Sequence, residues 1–219
     1  MATVAAMVVS LAAMTAAYAD TPASDKESKE VTKSFEITDV SKVVVKIPAD
    51  VEYQPGKVFC KITGSEKALD AVSLSTKDGV LTIDSTNKIF NFKRLSIKLG
   101  TKTPLNVIKI LGAGDFIVED GYEVESLSLN LNGAGKMEID GIDTEKLDVS
   151  LNGAGKISMK RLDCDGDVKA TLNGAGSILL KGSAETAVLT LNGAGSIDIK
   201  DFECNKLETD LNGAGKVKK

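Results

Sequence analysis

Histidine is absent from this chain, and so is tryptophan. Without an imidazole there is no Ser-His-Asp or Cys-His nucleophile and no histidine-bound metal. Aromatic residues are 4% of the chain, Tyr and Phe only, which leaves little for stacking sugars or bases. Cysteine is scarce too. Cys60, Cys164 and Cys204 make an odd count for a disulfide framework. Positive charge is slightly outnumbered, 27 Lys+Arg against 31 Asp+Glu for a net charge of −4. Mild acidity with interspersed Lys argues against nucleic acid as a partner.

What the chain has instead is repetition. Leu-Asn-Gly-Ala-Gly occurs five times, at 131–135, 151–155, 172–176, 191–195 and 211–215, after an imperfect Leu-Gly-Ala-Gly at 111–114. The motif asparagines Asn132, Asn152, Asn173, Asn192 and Asn212 step by 20, 21, 19 and 20 residues. A period near 20 marks a repeat architecture. Before each Gly, apolar and polar residues alternate, as in 127–131 (Leu-Ser-Leu-Asn-Leu), with Thr209 the one break in the apolar column. After it they alternate again, through Met137/Ile139, Ile157/Met159, Ile178/Leu180 and Ile197/Ile199. Period two means strand. One such unit cannot bury its apolar row alone; stacked units place Leu131, Leu151, Leu172, Leu191 and Leu211 in one internal column. The sequence therefore predicts an all-β fold, a parallel β-helix with about one coil per 20 residues, its strands ~4.8 Å apart. Stacked Asn amides can bond to one another as a ladder inside the coil, and Asn before Gly also suits a corner that visits the left-handed region. Asn-Gly is equally a type I′ hairpin signal. The flanking strands here belong to different columns, and the corner has three small residues instead of two, so the parallel helix is preferred.

Residues 1–19 carry no charge and end in Ala17-Tyr18-Ala19, which reads as a signal peptide cleaved before Asp20. The basic start of such a peptide is missing. No stable membrane span is expected after cleavage. Residues 20–33, rich in charge, Ser and Thr, read as a flexible tether, and residues 34–219 as a single β-helix domain. Within it 34–104 is an irregular β-rich start and 105–219 the regular coils. Strands are expected at 43–47, 51–53, 58–62, 73–76, 80–83 and 95–99, with a helical turn in 65–71 and a hairpin-type turn at Lys77-Asp78-Gly79. The last coil exposes an unpaired edge that invites pairing between chains, so a homo-oligomer is possible, and Lys216, Lys218 and Lys219 crowd that edge with charge and are expected to cap it. Cys164 and Cys204 fall at one corner two coils apart, roughly 9–10 Å by the coil spacing, too far for a disulfide. Free, buried thiols are expected.

The chemistry-bearing look-alikes dissolve on inspection. Gly135-Lys136, Gly155-Lys156 and Gly215-Lys216 lack the earlier Gly and the following Ser/Thr of a phosphate loop. Calcium-binding nonapeptide turns need an acid where Met137, Ile157, Ile178 and Ile197 stand. The outward columns Glu138/Ser158/Leu179/Asp198/Lys218 and Ser128/Asp148/Lys169/Val188/Glu208 mix signs and stack no two acids on neighbouring coils, so a paired-carboxylate mechanism is not evident. No catalytic residue, metal ligand or cofactor is assigned. The one exposed segment of unusual composition is 88–94, where Phe90, Phe92, Lys93 and Arg94 set two aromatics among bases as a candidate contact patch.

Phe35-x-Ile37, the strand Gly79-Val80-Leu81-Thr82-Ile83 and the serial Asn-Gly-Ala-Gly corners together resemble the auto-transporter adhesin head-domain (head GIN) family over 34–219. The resemblance implies a right-handed parallel β-helix exported in Gram-negative bacteria, often of the Bacteroides group. It supplies no functional residues. No translocating barrel is encoded in this chain, since a barrel needs many membrane-length strands with apolar outer faces. Two functions are carried forward. One is a non-enzymatic, adhesin-like binding or structural module of the cell envelope (periplasm, outer-membrane surface or extracellular) that meets a glycan or protein. The alternative is a polysaccharide-active β-helix enzyme, a lyase or hydrolase. Export has a direct check: material recovered from the periplasm of a bacterial host should have the intact mass of a chain beginning at Asp20, and retention of residues 1–19 would contradict the cleavage.

Overall fold

The structure, a computed structural model, describes residues 30–86 and 94–219. It is a β-solenoid of about 6 turns with coils of about 20 residues. The repeats stack in the register that the sequence sets: Leu131 pairs with Leu151, Leu151 with Leu172, Leu172 with Leu191 and Leu191 with Leu211, all in parallel. The first four of these leucines are 0–1% exposed, whereas Leu211, with no coil beyond it among the described residues, is 49% exposed. Burying such a side chain is worth roughly 1.5–3 kcal/mol, so the interior row stabilises every coil but the last.

The corner explains its own composition. Gly174 has φ +131°, a conformation costly for any side chain, and a Cβ there would also run into the Gly153 carbonyl oxygen of the preceding coil. Gly176 has no such φ; its constraint is space, because a Cβ would lie 2.5 Å from Gly155 O and 2.8 Å from Leu151 Cδ2. The first Gly makes the turn and the second lets the coils approach. Among the described non-glycine residues only Asp78 has positive φ. The asparagines before the corner are thus strand residues, and tolerance of the left-handed region is not why they are there.

The first half builds the same sheets in a different order. Lys42–Val45 lies between Val80–Ser85 and Val107–Gly112, parallel to both. Ala49–Pro55 likewise lies between Leu95–Thr101 and Asp115–Val118. Antiparallel additions close this end. Val72–Lys77 forms a hairpin with Val80–Ser85 through Asp78 and Gly79. Phe59–Ser65 pairs with Leu95–Thr101 on one side and with Glu30–Phe35 on the other. The helix Glu66–Ala71 is N-capped by Ser65, whose hydroxyl accepts from the Ala68 N–H, and it buries Ala68, Leu69 and Ala71. The strand Glu30–Phe35 begins inside the stretch read as tether. Its inward row Val31/Lys33/Phe35 is interrupted by Lys33, which hides the alternation, and the partner strand Phe59–Ser65 supplies the pairing that orders the segment.

Between cap and coils the chain crosses residues 101–106, and buried polar groups pin it there. Tyr53 OH meets Thr101 Oγ1 at 2.7 Å and accepts from the Leu105 N–H at 3.2 Å, while Tyr122 OH donates to the Leu105 carbonyl at 2.9 Å. The two rings meet edge to face at 5.8 Å. Outside, the Asp39 carboxylate accepts from the Lys102 N–H at 2.7 Å and the Thr103 hydroxyl at 2.7 Å. The Thr103 bond leads in holding its pKa below the ordinary value.

Stacked corners should not tolerate side chains. Gly174→Val and Gly176→Val should each cost several kcal/mol in a urea melt, through strain at the first and collision at the second, with pairing broken on both sides. Thr171→Val, on an outward strand position, should be nearly neutral. Glycine variants as mild as Thr171→Val would mean that the corners are open loops.

Candidate functional site

Two features run the length of the regular coils, one of amides and one of carboxylates. At the Gly corner the asparagine side chains form a continuous chain of hydrogen bonds. Asn152 Nδ2 donates to Asn132 Oδ1 at 2.7 Å, Asn173 to Asn152 at 2.7 Å, Asn192 to Asn173 at 2.8 Å and Asn212 to Asn192 at 3.1 Å. Parallel in-register pairing imposes this, since each Asn stands directly over the last. The row is half-buried along the outer side of the corner, not inside the coil as the sequence suggested, and Asn212 is exposed. Interior positions are taken by the Leu on one side and the second Gly on the other.

The carboxylates gather at the opposite, variable corner. Glu123, Asp143, Asp163, Ser183 and Glu203 stand in one register column. Glu125, Glu145 and Asp165 follow two positions on. Six of these acids, with Val124 and Thr144, line a cleft of about 450 Å³. All six are exposed, and among the described residues none forms an ion pair. No three acidic or cysteine side chains among the described residues are grouped to hold a metal ion. Sequence reading missed this corner because it aligned the repeats on their glycines. The coil ending at Gly174 is one residue longer, and its pairing slips between Cys164 and Asp167, so glycine alignment puts Asp163 out of column. The signal was the 20-residue step of Glu123, Asp143 and Asp163 themselves.

A second cleft, of about 740 Å³, opens at the last coil over Ile199, Phe202, Cys204 and Leu207. Cys60 and Cys164 are buried and Cys204 half-buried, all three as free thiols. Burial pushes the Cys60 thiol up to about 11 and raises Cys164 as well, so neither is a ready nucleophile. Of the residues in the 88–94 patch, Arg94 is engaged by Asp50 at 2.9 Å and Asp115 at 3.7 Å. Phe90, Phe92 and Lys93 lie outside the described residues, as do residues 1–29, where a signal peptide and most of the tether are expected. No helix among the described residues is long and apolar enough to cross a membrane.

A repetitive solenoid with straight outer rows and a closely packed interior defines the class: a parallel β-solenoid repeat module. A family model described as "Putative auto-transporter adhesin, head GIN domain" matches residues 39–218, and the chain belongs to that family. Solved structures share the fold. One described as a putative adhesin from Parabacteroides merdae aligns with a TM-score of 0.70 at 20% identity, over 87% of this chain and 95% of that one. A putative lipid binding protein from Parabacteroides distasonis gives 0.71 at 19%, over 86% and 96%. A putative adhesin from Bacteroides fragilis gives 0.61 at 21%, over 87% and 96%. No curated protein matches.

The amide row generates its own test. Asn173 both donates and accepts along the row, whereas Asn212 only donates. Asn173→Ala strands half-buried groups on both neighbours and should destabilise by about 1–3 kcal/mol. Asn212→Ala, at the exposed end, should stay within about 0.5 kcal/mol of wild type. Equal, small losses in urea melts would mean that the row carries no stability.

Proposed function

We propose that this chain is a non-enzymatic, exported, adhesin-like binding or structural module of the bacterial cell envelope that presents solenoid faces to a glycan or protein partner. The observation that carries the reading is the geometry of the outer surface. Side chains of one kind stand in straight rows at one coil spacing, ~4.8 Å, a surface suited to an extended partner with repeating groups. Membership of a family described as adhesin heads supports it.

The enzyme alternative needs one carboxyl kept protonated by apolar surroundings beside a second in a polar setting. The acidic corner lines carboxylates along one cleft, but every one of the six lies in solvent, with Val124 and Thr144 the only other groups lining it. That setting favours charge presentation over proton transfer.

The discriminating experiment is a glycan and matrix-protein array probed with residues 20–219, alongside an assay for reducing ends released from the same glycans. Saturable retention on at least one class without release is the expected result. Release of reducing ends from any glycan would overturn the non-enzymatic reading.

A further inference from the structure

Asn-Gly, the dipeptide repeated at every regular corner, has a chemistry of its own. The Gly main-chain nitrogen can attack the Asn side-chain carbonyl carbon, closing a five-membered succinimide and expelling ammonia, which takes the Gly amide proton. One water then opens the ring at either carbonyl, leaving Asp or isoaspartate. Nothing else is consumed. The reaction does require that the side chain swing toward the Gly nitrogen and that this nitrogen be free of the strand.

Four of the five copies are denied that freedom. Their strands continue through the Gly, ending at Gly133, Gly153, Gly174 and Gly193. Gly133 is paired with Gly112 and Gly153, and Gly174 with Gly153 and Gly193. Asn152, Asn173 and Asn192 are half-buried, and each both donates and accepts in the amide row. Asn132 accepts from Asn152 and is backed by Leu111.

The fifth copy differs in each respect. Its strand stops at Asn212, and Gly213 falls outside the paired register. Asn212 and Gly213 are both exposed, and among the described residues no strand covers their outer side. The Asn212 amide gives bonds of 3.1 Å to Asn192 and 3.3 Å to Asp210, and among the described residues no donor reaches its Oδ1.

We propose that Asn212-Gly213 is a site of spontaneous deamidation and isomerisation in the folded protein, while stacking protects the four identical dipeptides before it. The product matters locally. A carboxylate at 212 faces the Asn192 oxygen where an amide donor stood, and it adds negative charge beside Asp210, so conversion releases the last rung.

The test uses the folded chain held at mildly alkaline pH, with a sample in urea as the unfolded reference. Trypsin isolates Asn212 in the peptide 207–216, Asn152 in 147–156, Asn173 in 170–181 and Asn192 in 182–200. Mass and reversed-phase separation then read amide, Asp and isoaspartate at each. The urea sample should convert all sites at comparable rates. In the folded chain Asn212 should convert about tenfold faster than the other three, the factor set by the worth of one net hydrogen bond in the barrier. Equal rates at the four sites in the folded protein would overturn the proposal. So would an unreacted Asn212 once the urea sample has fully converted.

Discussion

Coils in this molecule approach to a single main-chain hydrogen-bond spacing at the Gly-Ala-Gly corner, and the rest of the structure depends on that approach. The carbonyl oxygen of one corner occupies the place where a side chain on the next would begin, as Gly155 O does beneath Gly176. With nothing between them, the corners stay in register from coil to coil. Leu151 can then push its Cδ2 against the second Gly of the following coil, filling the interior without a gap. The same register brings each Asn amide over the one before it. Interior packing and exterior amide row are two consequences of one steric condition.

Stability in such a stack is a sum over neighbours, and the two ends are unequal. One is closed by an antiparallel hairpin, a capped helix and the Tyr53–Tyr122 hydrogen bonds around residues 101–106. At the other, Leu211 is exposed and Lys218 reaches Asp198 at 3.5 Å. The lysines expected to guard this edge supply charge and leave its apolar row uncovered. Surface chemistry follows the same axis. Because each coil repeats its predecessor, a residue choice made at one corner is multiplied into a column, and the acids of the variable corner become a row of like charge in solvent. Such a row gathers cations and positively charged groups.

The repeating residues determined most of this fold by themselves. Alternation set the strands, the 20-residue step set the coil, and the Leu and Asn columns were legible because stacking identical units admits only one register. The short strands expected in the first half were legible too, with ends displaced by at most three residues. What only the tertiary structure decided lies where the repeat is broken. The polar strand Glu30–Phe35 exists because Phe59–Ser65 offers it an edge. The coil Lys42–Val45 is inserted between two later segments, a crossing of chain order that no local pattern encodes. The acidic corner emerges only after one extra residue is absorbed between Cys164 and Asp167. Whether an Asn lies inside the helix or along its outer corner is set by which side the Leu and the second Gly already fill. Period fixes what stacks; volume fixes which way it faces.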